Sequence, residues 1–437
     1  MSDKLQWQRW IQEVNLIFLT VLVSFFGNSL AFANSHSAIF FHPDGMSVSH
    51  WTAVRMMKVG PDGELNWDRL ARAAVYKGHM KDQLSGTSNG GATVHAYGIK
   101  VGAESFGNDN GKAIVSANGK GFSLLTEALK AGKSTALIQS GHLAEPGTAV
   151  FVASVESRRQ YEEIVSQVVA SGVEVILGGG EKYLLPLGKK GRFGEGTRKD
   201  GRDLIAEAQA QGYTVVFTKS DLSAAAKNPQ IKKVLGVFAA DHTFNDLPEK
   251  ELKKKNLPHY WPEAPTIAEM AEATLQIVSR NKKGFFIVAE EEGTDNFSNE
   301  NNAAGFLEAG LRADEALGVF LKFVEKNKKT LLLTTSDSDA GGLQVWGSAK
   351  MDPKKELAAK AENGSPLDGP QGSESVPFMA KPDQFGVSYP FAISWANFQD
   401  STGGILLKGQ GPGSEKLKGT VDNTMVFRLI SDWIFKK

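Results

Sequence analysis

The stretch Gly86-Thr87-Ser88-Asn89-Gly90-Gly91-Ala92-Thr93 sets two adjacent hydroxyls at a glycine-lined start of a helix. Ser88 stands where a side chain can cap that helix, and the backbone N–H groups that follow, with the helix dipole, favour an anion beside it. Gly90 and Gly91 let a bound group approach the backbone closely. The same octapeptide also reads as an ordinary serine cap followed by flexible glycines, so it does not decide the chemistry alone. A second pattern adds weight. Asp44, Glu145, Glu290, Asp295 and Asp337 each follow a short apolar run within a few residues, and in open α/β sheets ligands gather outside the carboxyl ends of the strands. Carboxylates brought together there repel one another, and bound cations are the usual physical answer.

The elements that must position these groups are legible from apolar spacing. Residues 38–41 form a continuous apolar run that stops at His42-Pro43-Asp44-Gly45, which reads as a buried parallel strand ending in a turn. A helix is expected through Trp51, Val54 and Met57, a strand at 73–76, and a helix at 122–131 stopped by Gly132. A strand at 134–139 follows, then a helix over 150–172 that carries Arg158 and Arg159. Further strands are expected at 173–177, 213–217, 234–239, 284–289, 331–333 and 391–395. Strands separated by helical lengths predict an α/β fold with a largely parallel central sheet and helices on both faces. Residues 342–389 break this rhythm; rich in Gly, Pro, Ser, Lys and Asp, they read as a surface insertion.

A chain of 437 residues is long for one domain, yet an α/β enzyme with insertions reaches that size as one unit. The 41% hydrophobic and 22% charged fractions are those of a globular protein. Forty-nine basic residues balance forty-nine acidic ones, so no overall field favours nucleic acid or an anionic membrane, and an anionic ligand must be held locally. Lys4 and Arg9 precede the apolar run 16–26, and Ala31-Phe32-Ala33 offers a small-x-small cleavage pattern. Residues 1–33 therefore read as a signal peptide and 34–437 as one catalytic domain, exported to the periplasm or secreted, with no stable membrane anchor after cleavage. With no cysteine there is no disulfide, and the mature domain depends on its core and on bound metal.

Taken together, these segments resemble the alkaline phosphatases, in the right order from Ile39 to about Ile434. Phe40-Phe41-His42-Pro43-Asp44-Gly45-Met46 is similar to that family's first metal-binding turn, and Thr87-Ser88-Asn89-Gly90-Gly91-Ala92-Thr93 to the segment bearing its phosphorylated serine. Glu145-Pro146-Gly147-Thr148, thirteen residues before Arg158, resembles the magnesium-site turn that precedes the phosphate-binding arginine. Leu177-Gly178-Gly179-Gly180, Gly284-Phe285-Phe286-Ile287-Val288-Ala289-Glu290 leading to Asp295, Thr334-Thr335-Ser336-Asp337 and Gly419-Thr420-Val421-Asp422-Asn423-Thr424 extend the match. The resemblance implies Ser88 as nucleophile and Arg158 as phosphate ligand; the adjacent hydroxyl of Thr87, β-branched and offset in position, is the second choice of nucleophile on its own chemistry. It implies metal ligands at Asp44, Ser88, Glu145, Thr148, Glu290, Asp295 and Asp337.

The departures carry chemical weight. The family usually has Asp before the nucleophile, where this chain has Thr87; where it places three zinc-binding histidines, this chain has Asn299, Ser338 and Ser401. All eight histidines fall at or before His259. Zinc prefers imidazole and thiolate, whereas oxygen donors suit Mg²⁺, Ca²⁺ or Mn²⁺. The expectation is therefore Mg²⁺ or Ca²⁺, with Mn²⁺ next and Zn²⁺ disfavoured. Asn299 is expected to offer its carbonyl oxygen, and Asp339 to compensate for Ser338 if the strand persists past Asp337. His42, His95 and His142 could reach in, although each reads more readily as a core or loop histidine. The expected activity is hydrolysis of a small phosphate monoester through a phosphoserine, by a chain compatible with a homodimer. Two rivals stay open at this point: hydrolysis of phosphodiesters or related esters on the same fold, and a non-catalytic exported protein that binds phosphate or metal.

Overall fold

The computed structural model describes residues 35–435 except residue 349; the leader expected at 1–33 lies outside them. Ten strands form the central sheet: β1 (Ser37–Pro43), β2 (Arg72–Lys77), β3 (Ser134–His142), β4 (Val175–Gly179), β5 (Thr214–Val216), β6 (Val234–Val237), β7 (Phe285–Glu291), β8 (Thr330–Thr334), β9 (Leu406–Gln410) and β10 (Thr420–Asp422). Their order is β10-β2-β9-β8-β1-β7-β3-β4-β6-β5. All neighbours are parallel except β9, which runs antiparallel to both β2 and β8. The expected largely parallel α/β sheet is what the chain forms.

Period-two alternation gives the sheet its two covered faces. Ile39 and Phe41 of β1 join Ile287 and Ala289 of β7 in one core, with the long helix Ala303–Lys326 packed on it. Ala38 and Phe40 join Phe286 and Val288 in the other, with the helices Ser88–Tyr97 and Met425–Ile434. The same parity carries past the apolar runs. His42 is in register with Glu290 across β1 and β7, and Glu290 with Gln139 across β7 and β3. The polar strand ends thus stand on the face that holds the Ser88 helix.

Two local expectations need correction. The helix expected over 150–172 runs only Tyr161–Ala170, preceded by a single turn, Pro146–Ala149; Arg158 and Arg159 lie in the connection between them. Pro146 begins that short turn, and the chain must then bend back across the Ser88 face before the apolar spacing of Ile164, Val165 and Val168 can bury. Phe391 does not belong to the central sheet. Pro390–Ser394 pairs antiparallel with Gln344–Trp346, Leu367–Asp368 and Phe378–Met379 in a small separate sheet. Residues 342–389 accordingly leave the main sheet and build their own layer, with Leu357, Leu367 and Ala392 as its core. No helix among the described residues is long and apolar enough to cross a membrane.

Candidate active site

The Ser88–Tyr97 helix is buried throughout, and its first turn packs through Gly91 on Asp337, beyond the end of β8. Its N-cap is Thr87, not Ser88 as the sequence suggests. The Thr87 hydroxyl accepts from Gly90 N at 3.2 Å and donates to Ala103 O at 2.6 Å, which engages both its donor and an acceptor site in local structure. Ser88 becomes the first helical residue, buried, with its side chain not used as the cap. Gly91 is required by a close approach: a Cβ there would stand 2.5 Å from Cβ of Asp337. An acid from beyond a strand end therefore meets this helix start.

His42 sits among the strand-end acids. Its Nδ1 is 3.3 Å from Glu290 Oε1, and its Nε2 is 3.6 Å from both Asp44 Oδ1 and Asp337 Oδ1. All four side chains are buried. Asp44 turns at Gly45, whose φ of +70° and contact with Asp295 exclude a side chain. Burial would lower the His42 pKa, but Asp44, Asp337 and Glu290 raise it well above its ordinary value. Burial raises Asp44 and Glu290, the first helped by Asp337, and Glu290 is pushed to about 7.

Further acids surround this core. Burial, then Asp400, Asp44 and Asp337, raise Asp295 well above the carboxylate range, and burial with Glu145 and Glu290 does the same to Glu292. Oxygens of Asp44, Glu290, Glu292 and Asp337 are buried with no hydrogen-bond partner, including both oxygens of Asp337. Two unit charges 4 Å apart repel by about 4 kcal/mol at an effective dielectric constant of about 20. One histidine and one arginine do not balance such a set. One donor atom each from His42, Asp44 and Glu290 lies within 4.8 Å of the others, a spacing that a divalent ion can bridge. The donors fit hard cations, with one imidazole among the oxygens.

The residues standing for the missing histidines behave differently from expectation. Asn299 closes the Gly293–Asn299 helix and turns its amide nitrogen, not its carbonyl oxygen, toward the acids: Nδ2 donates to Asp295 at 3.1 and 3.2 Å and to Asp400 Oδ1 at 3.2 Å. Its oxygen is taken by Gly341 N at 3.0 Å, which fixes the orientation. Asp400 was not singled out in the sequence. The neighbouring Ser401 faces Asn397 instead, at 2.9 Å. Ser338 is buried, and its backbone oxygen accepts from the Ser336 hydroxyl at 2.9 Å. β8 ends at Thr334, so the alternation that would have aligned Asp339 with Asp337 is lost; Asp339 pairs with His50 Nδ1 at 3.3 Å.

On the opposite side Glu145 caps the Pro146–Ala149 turn and holds Arg158, whose Nη2 donates to Glu145 Oε2 at 2.9 Å. Burial would lower the Arg158 pKa, but Glu145, Glu292 and Asp295 raise it, so the guanidinium remains charged within their field. The other Glu145 oxygen is 2.9 Å from His142 Nε2. Burial opposes ionisation of Glu145, yet His142 and Arg158 hold it well below the usual carboxylate range. The Thr148 hydroxyl accepts from Gln139 Nε2 at 2.6 Å, and Gly147 lies directly against the Glu290 carboxylate. His95 belongs to the core, its Nε2 2.7 Å from Tyr76 OH.

Comparisons with known proteins bear on the family and the fold. The chain is 25% identical to alkaline phosphatase 4 of Bacillus subtilis, over 89% of this chain and 87% of that protein. It is 26% identical to the alkaline phosphatase of Escherichia coli K12, over 71% of each. The fold is shared with the alkaline phosphatase of the Antarctic bacterium TAB5 (TM-score 0.69, 22% identity, 91% and 98% of the two chains) and with that of Thermus thermophilus (0.70, 23%, 93% and 94%). The model of the alkaline phosphatase family matches residues 35–434, and the chain therefore belongs to the alkaline phosphatase family, whose members are phosphatase-type hydrolases.

Proposed function

We propose that this protein is a metal-dependent phosphomonoesterase that passes a phosphoryl group to Ser88 and then to water, releasing inorganic phosphate. The observation that carries the reading is Ser88 at a buried helix start whose Gly91 packs on Asp337, together with buried oxygens of Asp44, Asp337 and Glu290 that have no hydrogen-bond partner. Asp44, Glu290, Asp295 and Asp337, with His42, would hold divalent ions, and Glu145, Thr148 and Asp400 stand around them. Bound there, such ions neutralise phosphate charge and make a hydroxyl easier to deprotonate. A variant of the TAB5 enzyme carries magnesium at a site called M3, which supports Mg²⁺ for this chain.

The chain's own groups supply the rest. Asp44, whose Oδ2 is buried without a hydrogen-bond partner, takes up the Ser88 hydroxyl proton. Oγ attacks phosphorus as the bond to the leaving alcohol breaks in line, and the departing oxygen takes up a proton. The first-turn N–H groups of Ser88 and Asn89 lie outside the intrahelical ladder and point along the helix axis toward an anion. Arg158, anchored through one nitrogen on Glu145, retains donors whose planar fork suits two phosphate oxygens. Water then cleaves the Ser88 ester. The leader pattern at 1–33 supports export of the mature domain.

Phosphate release from an aryl monoester and an aryl diester, on chelator-stripped protein refilled with Mg²⁺, Ca²⁺, Mn²⁺ or Zn²⁺, tests the reading. Monoester turnover that exceeds diester turnover, with labelled phosphate trapped on the wild type in acid and absent from Ser88→Ala, is the expected result. Faster diester turnover overturns monoester preference, and no turnover with any ion overturns catalysis.

A further inference from the structure

Outside the acidic centre, a second group of ligating side chains gathers where β3 and β6 end. His142 closes β3, and the loop after β6 brings Asp241 and His242 across to it. That loop is pinned by Thr243, whose N and Oγ1 both donate to Ser140 O, at 2.9 and 2.6 Å. Gly179 admits the Asp241 backbone, and Gly180 admits the His142 side chain. The two imidazoles stack with centroids 4.6 Å apart and planes 19° from parallel. One donor atom from each of His142, Asp241 and His242 lies within 4.8 Å of the others.

Three atoms in this place are buried without a hydrogen-bond partner: His142 Nδ1, His242 Nδ1 and Asp241 Oδ1. Each unmet buried polar atom costs on the order of 1–3 kcal/mol. The other edges are accounted for. His142 Nε2 is on Glu145, His242 Nε2 is 3.8 Å from the same oxygen, and the second Asp241 oxygen takes Lys182 Nζ. Tyr161 and Tyr183 stand edge-on to the His142 ring at 5.2 Å and shield it. A histidine whose far nitrogen rests on a carboxylate while its near nitrogen is free is the arrangement in which metal-ligating histidines are found.

We propose that His142, Asp241 and His242 form a separate transition-metal site that takes Zn²⁺ or a similar borderline ion, with Glu145 orienting His142 from behind. Two imidazole nitrogens and one carboxylate oxygen suit Zn²⁺, Co²⁺ or Ni²⁺ far better than Mg²⁺ or Ca²⁺. The site is thus chemically distinct from the oxygen-rich centre. One ring must rotate out of the stack for both nitrogens to face one ion. Because Glu145 also holds Arg158, an ion here would stiffen the support of the arginine.

Co²⁺ titration of the chelator-stripped full chain in excess Mg²⁺ tests the proposal. The wild type is expected to bind one Co²⁺ per chain that Mg²⁺ does not displace, with visible d–d absorption and two imidazoles in its X-ray absorption spectrum. His242→Gln and Asp241→Asn are expected to lose that equivalent while keeping the Mg²⁺-dependent rise in Tm. A wild type without a Mg²⁺-resistant Co²⁺ overturns the proposal, and so does a bound ion with fewer than two imidazoles. Undiminished uptake in both variants overturns it too; if a variant fails to fold, the wild-type spectrum decides.

Discussion

Gly147 lies so close to Glu290 that a Cβ on the glycine would overlap the Glu290 carboxylate. The contact links the Pro146–Ala149 turn to the end of β7, and so joins the Arg158 side of the site to the His42 side. Gly147→Ala is expected to displace Glu290 and to lower divalent-ion affinity and phosphatase activity by about 10–100-fold, the usual cost of disturbing a metal site's supports. Gly121→Ala, with nothing within 4 Å of the new methyl, serves as control and should leave both unchanged. Wild-type ion affinity in Gly147→Ala would show that Glu290 does not hold the ion.

The adjacent hydroxyls Thr87 and Ser88 should separate cleanly in experiment. Thr87→Ala removes the cap on Gly90 N and is expected to cost about 1 kcal/mol of stability, with phosphoryl transfer retained. Ser88→Ala leaves the cap in place, so Tm should hold while the acid-stable phosphoenzyme disappears. Thermal melts and acid-quench trapping read the two effects independently. A phosphoenzyme that survives in Ser88→Ala and vanishes in Thr87→Ala would reverse the assignment.

The sheet was legible because its strands are short apolar runs separated by helical lengths, and period-two parity then carried His42 and Glu290 to one face. The acids at strand ends were legible for the same reason. What failed was what depends on a turn. Arg158 sits in a connection that apolar spacing could not distinguish from helix, and Asp339 was misplaced because β8 stops at Thr334. Asp400 had no local signal: it belongs to a two-residue strand paired with Ala340, reached only through tertiary contact. Asn299 was visible as a substitution, but the competition between Gly341 N and the acids for its two ends was not.

That competition makes Asn299 a clip between Asp295 and Asp400. Replacing the donor by a third carboxylate, Asn299→Asp, is expected to destabilise the chelator-treated protein by about 2–4 kcal/mol, the scale of one close like-charge pair at a partly buried site. Saturating Mg²⁺ or Ca²⁺ should recover much of the loss, since an added oxygen donor then meets a cation. Melts with and without divalent ion check both halves. Equal destabilisation in the two conditions would mean that Asn299 holds no acids near an ion.

A last prediction concerns pH and lies away from the metal ligands. Burial, with Asp368 nearby, pushes Glu249 to about 7, and its Oε1 is buried without a partner. Asp368, held by Trp395 Nε1 at 2.8 Å, is raised to about 6, chiefly by burial. For an acid whose folded pKa is raised, the unfolded chain gives up the proton first. Stability is therefore lost as pH climbs from about 4.5 through 7, and is level above. Glu249→Gln keeps the shape without the charge. It is expected to be more stable than the wild type at pH 8.5, on the order of 1–2 kcal/mol after allowance for solvent screening, and indistinguishable from it below about pH 4.5, where both side chains are neutral. Urea unfolding at the two pH values measures this, and a variant no more stable at pH 8.5 would show that the Glu249 carboxylate is adequately solvated beside Asp368.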